Sequence, residues 1–309
     1  MSDYRINEIF LNAEELGEQV LIVEGVDDVT LYENMFKEQD YTIYAVETIE
    51  KMDSDDCEYY KAGCDGVKKA IEDLIANEAN NTDGLKKCIL GIVDKDVSDF
   101  RGELFESDIV VNLKHYAIES HFINPDSVYR LLKEHTKSGS RLINRELAQQ
   151  IYSEIIDELE VLYLITLDSL KGAIDRHYTS IFGYSASDEC YKNLNKMNQV
   201  QSIKDELLVF AEEQNLTLDE SLLLNVTKGK WALSALCDFL NKKIKELTQK
   251  CLSNEVPQCQ FCRVGEHKHC MYKLKDGITT KTLKTLAFNL HDLDSLMYIK
   301  DDVLDKLDS

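Results

Sequence analysis

The sequence Gln-Val-Leu-Ile-Val-Glu-Gly-Val-Asp-Asp occupies residues 19–28 and decides the fold class. It begins as an aliphatic run without alternation, which is typical of a parallel strand covered on both faces. The run ends in Glu24 and Gly25. A second run, Cys-Ile-Leu-Gly-Ile-Val-Asp-Lys-Asp at residues 88–96, ends in Asp94 and Asp96. Because ligands of open α/β sheets bind at the carboxyl ends of the strands, the two runs predict an acidic site at one sheet edge.

The remaining apolar patterns predict two domains of different texture. Further strands are predicted at residues 41–46 and 108–113, with helices at 5–16, 27–38 and 65–76. This order predicts an α/β, Rossmann-like fold with a mostly parallel sheet flanked by helices over residues 1–125. After Pro125 the patterns are mainly helical through residues 126–309. The helices are expected at 128–132, 146–165, 170–181, 203–213, 231–247 and 288–308.

The acidic residues at the strand ends predict a cation site. Glu24, Asp94 and Asp96 offer hard oxygen ligands, which suit Mg²⁺ or Mn²⁺ and chemistry on phosphate esters. Gly25 lets the backbone turn sharply after the first strand. Asp28 is a further candidate ligand or helix cap, and for Asp27 we expect the cap.

The charge of the chain is unevenly distributed. The net charge is −22 over 309 residues, but residues 1–125 carry 29 acids against 11 bases. Residues 226–285 carry 12 bases against 5 acids. This basic segment predicts contact with a phosphate backbone. The alternative is that its lysines are solvated helix faces.

Cysteine usage and hydropathy bear on location and metal binding. Nine cysteines without a signal-peptide profile at the N-terminus lead us to expect reduced thiols in the cytoplasm. No run of apolar residues is long enough to predict a membrane span. The spacing of Cys259, Cys262, His267 and Cys270 predicts a possible structural Zn²⁺ site. The alternative is that these cysteines are buried as small apolar residues and the histidine is exposed.

Glu24-Gly25 after one strand and Asp94-x-Asp96 after a later one resemble the two signatures of the TOPRIM domain. Primases, topoisomerases, maturases of the ribonuclease M5 type and OLD-type nucleases share this domain. The form Glu-Gly-x-Asp-Asp is similar to that of the maturases and OLD-like nucleases. The resemblance implies a TOPRIM fold in which Glu24 is the general acid/base and Asp94 and Asp96 are metal ligands.

Further motifs extend the resemblance over most of the chain. They are Gly-Cys-Asp-Gly-Val-Lys at 63–68, Tyr-Ala-Ile-Glu at 116–119 and Lys-Gly-Lys-Trp at 228–231. Together they resemble the TOPRIM effector subunits of PARIS anti-phage systems. That family implies an ABC-type ATPase partner that holds the subunit inactive, and a released homodimer that cuts transfer RNA. It also implies Glu119 as an additional metal-site acid.

Lys228 and Lys230 can be interpreted in two ways. They are either phosphate-binding groups on a flexible glycine or exposed residues of a loop between helices. The family pattern favours the first.

The sequence therefore predicts a metal-dependent ribonuclease that serves as a toxic effector of antiviral defence. One alternative is an OLD-like DNA nicking nuclease. Another is a non-catalytic subunit whose acidic first domain docks onto an ATPase. Because the chain has no Gly-x₄-Gly-Lys-Ser/Thr pattern, ATP dependence would come from a partner.

Overall fold

The computed structural model describes residues 4–51, 58–78 and 81–307. These residues form two compact units. Unit 1 runs up to Lys114 and resumes at His291, and unit 2 runs from His115 to Leu290. The domain boundary expected near Pro125 therefore moves to His115, and the C-terminal helix returns to unit 1. An amphipathic pattern shows that a helix has an apolar face, but not which core receives it.

Unit 1 is built on a parallel sheet, as the sequence predicts. Its described strands are β1 (Tyr4–Arg5), β2 (Gln19–Val23), β3 (Tyr41–Ala45), β4 (Ile49–Glu50), β5 (Ile89–Val93) and β6 (Val110–Asn112). Four of them form one sheet in the order β3-β2-β5-β6, and each neighbouring pair is parallel. Strands β1 and β4 form a separate short parallel pair.

Helices cover the sheet of unit 1 and explain its apolar strands. They are α1 (Ile6–Leu16), α2 (Val26–Met35), α3 (Cys64–Asn77), α4 (Thr82–Cys88), α5 (Ser98–Arg101) and, after unit 2, α15 (Asp294–Leu307). Val20 and Ile22 of β2 lie in one core cluster with residues of α1 and α3. Leu21 and Val23 point to the opposite face by strand alternation and are equally buried. Burial on both faces accounts for the aliphatic run without alternation.

The order of the strands gives the sheet a switch point between β2 and β5. From β2 the chain passes through α2 to β3 on one side, and it later returns to β5 on the other side. The direction of winding therefore reverses between these two neighbouring strands. Such a switch point, at the carboxyl ends of the strands, is where open α/β sheets bind ligands.

Unit 2 is helical, as predicted, but several of its helices have limits that differ from the predicted ones. Its helices are α6 (Pro125–His135), α7 (Arg145–Leu159), α8 (Val161–Ile174), α9 (Leu194–Ser202), α10 (Lys204–Glu213), α11 (Glu220–Asn225), α12 (Gly229–Ser253), α13 (Gln260–Arg263) and α14 (Thr280–Ala287). The predicted helices 146–165 and 170–181 are wrong in their limits, because the chain turns at Glu160. Glu160 has ordinary right-handed dihedral angles, so neither glycine nor proline marks this turn in the sequence.

Helix α12 is the longest helix of unit 2 at 25 residues. Its side chains Trp231, Leu233 and Leu236 are fully buried, so the helix forms the centre of the unit 2 core. Lysines along its other face give it a polar side. Among the described residues, no helix is both long enough and apolar enough to span a membrane.

We predict that Gly66→Ala destabilises unit 1. Gly66 lies in the first turn of α3, where an added Cβ would be 1.8 Å from the carbonyl oxygen of Lys61 and 3.2 Å from Val46 Cγ1. Backbone must move to relieve the first contact, so we expect a loss of about 2–3 kcal/mol in the free energy of unfolding. Urea denaturation followed by circular dichroism measures it.

The matched control is Gly139→Ala, because a Cβ at Gly139 meets no atom within 4 Å. This variant should unfold at the same urea concentration as the parent chain. Equal stability of the two variants would show that α3 does not pack against the Lys61 carbonyl as described.

Candidate functional site

The strand ends that carry the predicted acids lie side by side in unit 1. Glu24 follows β2 directly, Asp94 follows β5, and these strands are neighbours in the sheet. The Glu24 carboxylate accepts a hydrogen bond at Oε1 from the backbone N–H of Asp94 at 2.7 Å. Residues separated by 70 positions are therefore joined at the switch point of the sheet.

The segment 63–68 reaches the same edge. The N–H of Gly63 donates to the carbonyl oxygen of Glu24 at 3.1 Å, and Cys64 Sγ lies 3.6 Å from the carbonyl oxygen of Asp94. Gly63 has a φ of +99°, a conformation that favours glycine. The Gly-Cys-Asp-Gly-Val-Lys motif at residues 63–68 therefore leads the chain into α3 beside Glu24.

Asp96 stands on an unusual backbone. Its φ is +47°, which non-glycine residues adopt rarely and at a cost in energy. The preceding Lys95 forms an ion pair with an acid outside the Asp-Lys-Asp motif. Its Nζ lies 2.6 Å from Asp99 Oδ2. The backbone after β5 therefore turns sharply within the Asp-Lys-Asp motif.

Asp28 caps a helix. Its Oδ2 accepts the N–H of Gly25 at 3.1 Å, and α2 begins at the next residue, Val26. The capping carboxylate is thus Asp28 rather than Asp27, for which we expected the cap. Because Oδ2 of Asp28 accepts a hydrogen bond at the helix N-terminus, Asp28 remains a candidate metal ligand through its other carboxylate oxygen.

Buried groups next to the acids stay protonated at neutral pH. Burial raises the pKa of the Cys64 thiol to about 12, and the negative charge of Glu24 adds to this. Burial likewise raises the pKa of Tyr32 well above its ordinary value, with further contributions from Asp28 and Asp94. Neither group is therefore ionised at neutral pH, and the charged groups of this edge are its carboxylates.

The predicted Mg²⁺ or Mn²⁺ site is only partly assembled. Over the residues that the structure describes, one group of three or more His, Cys, Asp or Glu residues has ligand atoms within 4.8 Å of one another, and it consists of cysteines. Glu24, Asp94 and Asp96 do not form such a group, although the Glu24 carboxylate touches the Asp94 backbone. Binding of a hard cation here stays a prediction.

Glu119 belongs to unit 2 and is buried. It lies in a short 3-10 helix, Ile118–Phe122, and only 5% of it is exposed. Burial raises the pKa of its carboxyl group, while the positive charges of Lys230 and Lys284 oppose this. A Cβ at Gly229 would lie 3.0 Å from Glu119 Oε2. The glycine of the Lys-Gly-Lys motif therefore allows the close approach of a carboxylate.

The two lysines of that motif differ in their surroundings. Lys228 Nζ donates to the carbonyl oxygens of Tyr184 at 3.0 Å and Ala186 at 3.3 Å. Those bonds give Lys228 a structural role, whereas the motif predicts a phosphate-binding role. Lys230 is exposed and contributes positive charge near Glu119. Lys230 thus remains the candidate for phosphate contact.

Many lysines of the basic segment 226–285 have partners within unit 2, but only some of those partners are carboxylates. Lys242 and Lys243 bind Glu158 of α7 at 2.7 and 3.0 Å, and Lys243 also binds Glu154 at 2.9 Å. Further lysines of the segment bind carboxylates or backbone carbonyls, namely Lys228, Lys250, Lys273, Lys275 and Lys284. Within this segment, four exposed bases have no side-chain partner among the described residues: Lys245, Arg263, Lys268 and Lys281.

Four cysteines gather in unit 2 and could hold a zinc ion. Ligand atoms of Cys251, Cys259, Cys262 and Cys270 lie within 4.8 Å of one another, and all four residues are buried. The structure thus unites three of the predicted ligands, and the fourth is Cys251 in place of the exposed His267. Spacing along the chain favoured His267, because Cys251 lies outside the local motif at the end of α12.

The thiol of Cys259 has an altered acidity. Burial raises its pKa, but hydrogen bonds from backbone N–H groups of Met271 and Cys262 outweigh burial and bring the pKa to about 7. Backbone donors aimed at sulfur stabilise a thiolate, which is the form that binds metals.

No protein-family model matches the chain, and a search of curated proteins finds no match.

We predict that Glu119→Gln stabilises unit 2 increasingly as the pH rises. The folded-state pKa of Glu119 lies above the unfolded value, so the folded chain keeps this proton over a range in which the unfolded chain has lost it. The contribution of Glu119 to stability is therefore complete below the unfolded pKa, about 4.3, and is lost as the pH rises through the folded pKa. Glutamine, which stays neutral, avoids that loss.

Urea midpoints between pH 4 and 8 measure the effect. Glu213→Gln is the control, because Glu213 is exposed near the end of α10. A stability difference between Glu119→Gln and the parent chain that does not change with pH would contradict a raised pKa.

Proposed function

We propose that this chain is a divalent-metal-dependent phosphodiesterase of the TOPRIM type that cuts RNA. One observation carries the proposal: the Glu24 carboxylate lies 2.7 Å from the backbone nitrogen of Asp94 at the switch point of a parallel sheet. This is the edge at which α/β sheets bind ligands. The resemblance of Glu24-Gly25 and Asp94-x-Asp96 to the TOPRIM signatures supports the same assignment.

In this proposal Glu24 is the group that transfers a proton during cleavage of the phosphodiester. The Asp94 N–H holds Oε1 and so fixes the plane of the carboxylate relative to the sheet edge. A carboxylate in a fixed orientation transfers protons more effectively than a mobile one, because less reorganisation precedes the transfer. Glu24 thus serves as general acid or base for an oxygen of the phosphodiester.

Asp94 and Asp96 hold the cation in this proposal. When bound, Mg²⁺ or Mn²⁺ neutralises charge on the phosphate oxygens. Since the three carboxylates do not form a group close enough to hold a metal ion, binding requires rotation of the Asp94 or Asp96 side chain. The turn at Asp96, with its positive φ, sets the direction from which that side chain approaches.

The substrate and partner follow from the wider resemblance. We propose transfer RNA as the substrate, an ABC-type ATPase as the subunit that keeps the enzyme inactive in the cytoplasm, and a homodimer as the active form. In the segment 226–285, four exposed bases that have no side-chain partner among the described residues supply positive charge for a phosphate backbone: Lys245, Arg263, Lys268 and Lys281. They are fewer than the composition of the segment suggests.

We predict that Glu24→Gln strongly slows cleavage. Purified chain with Mg²⁺ or Mn²⁺ should cut transfer RNA, and removal of a proton-transfer group should lower the rate about 10²–10⁴-fold. Gel electrophoresis of labelled transfer RNA measures the rate, with supercoiled plasmid in parallel. Glu33→Gln is the matched control, since Glu33 is an exposed residue of the adjoining helix α2. Full activity of Glu24→Gln would overturn the assigned role.

The plasmid and metal measurements separate the alternatives. Nicking of plasmid with intact transfer RNA would identify a DNA-nicking enzyme instead. Calorimetry with Mg²⁺ and Mn²⁺ tests the cation site directly, and Asp94→Asn should weaken binding. Absence of divalent-cation binding together with tight binding to an ATPase would favour a non-catalytic docking subunit.

A further inference from the structure

The cysteine cluster joins two parts of unit 2 that are separate along the chain. Cys251 lies in the last turn of the long helix α12, while Cys259, Cys262 and Cys270 lie in the irregular segment that follows. The relative exposure of these four residues is 0, 1, 4 and 0%. Four buried sulfur atoms within 4.8 Å of one another are thus enclosed by protein.

The spacing of the sulfur atoms fits a single tetrahedral metal ion. Four sulfurs at about 2.3 Å from zinc lie about 3.8 Å from one another, within the observed limit. A disulfide would instead need pairs of sulfurs about 2.0 Å apart, and all four cysteines are free thiols. A four-iron cluster would hold the sulfurs further apart, because each would bind a different iron. Thiolates are poor ligands for Mg²⁺ but good ones for Zn²⁺.

The backbone around the sulfurs resembles the support that zinc ligands need. The N–H of Cys259 donates to Cys251 Sγ at 3.3 Å, across the two parts of the chain. Gly265, with a φ of +82°, turns the chain back after Cys262. Tyr272 is fully buried next to the cluster, and its hydroxyl donates to the carbonyl oxygen of Pro257 at 3.0 Å. Such outer contacts orient metal ligands.

The segment 254–270 has little other means of holding its shape. It contains only the four-residue helix α13 and a single 3-10 turn, His267–His269. Among the apolar side chains of this stretch, Val264 is 71% exposed. So small an apolar core seldom folds by itself, and a structural metal is a common substitute.

We propose that Cys251, Cys259, Cys262 and Cys270 bind one structural Zn²⁺ ion through four sulfur ligands. The ion ties the end of α12 to the segment 259–270 and fixes the exposed bases Arg263 and Lys268 on its surface. His267 is not a ligand. This site is independent of the nuclease proposal, since it uses no residue of the Glu24 edge.

Metal analysis of the purified full-length chain tests the proposal. Mass spectrometry of metals should find about one zinc and no iron per chain. Cys251→Ser should reduce zinc to background, whereas His267→Ala should retain it. Cys237→Ser is a matched control, because Cys237 is buried on the same helix but lies outside the group. Zinc-bound chain should also melt at a higher temperature than chain treated with a chelator.

Two further measurements apply if Cys251→Ser fails to fold. Cys251→His keeps a ligand and should retain zinc. Titration of the parent chain with a mercurial should release zinc in step with modification of its thiols, as a zinc indicator dye shows. A parent chain without zinc, a chain that holds iron, or loss of zinc in His267→Ala but not in Cys251→Ser would each overturn the proposal.

Discussion

The hydrogen bond from the Asp94 N–H to the Glu24 carboxylate is the constraint on which the candidate site depends. It joins the carboxyl ends of β2 and β5, whose register pairs Ile22 with Gly91. Gly91 allows α3 to pack closely on β5, because a Cβ at this position would lie 3.1 Å from Val67 and 3.2 Å from Ile71 of α3. A bare backbone in β5 lets α3 pack closely, and α3 begins at Cys64, beside the two acids. Strand, helix and carboxylate are therefore positioned together.

Charge counted along the sequence describes this chain poorly. The segment 226–285 has seven more bases than acids, yet Glu154 and Glu158 of α7 neutralise several of its lysines across the helix pair. Ion pairs between partly exposed side chains stabilise little, so their main effect here is on the field outside the protein. The attraction for a phosphate backbone then depends on the few bases that stay exposed without partners, two of which lie on the cysteine-rich segment.

The sequence predicts the sheet edge well because local pattern and topology act together there. An aliphatic strand followed by an acid fixes both where Glu24 and Asp94 lie in the chain and which end of a parallel sheet receives them. The break between α7 and α8 at Glu160 could not be predicted, since no glycine or proline marks it. The packing of α15 in unit 1 could not be predicted either, because an amphipathic pattern does not show which core receives the apolar face of the helix. Cys251 was missed for a related reason: only the tertiary path of a 25-residue helix brings it to the other cysteines.

The two proposed metals differ in hardness, and that difference lets one chain use both. Zinc binds most donor sets more tightly than magnesium does, so an acidic site alone offers weak selection against it. A site of four thiolates takes zinc with far greater preference than carboxylates do, because sulfur is the softer ligand. Once that site is filled, a carboxylate edge would take magnesium wherever magnesium is abundant and free zinc is scarce. The proposed catalytic and structural cations are therefore sorted by ligand chemistry, without any need for a barrier to exchange.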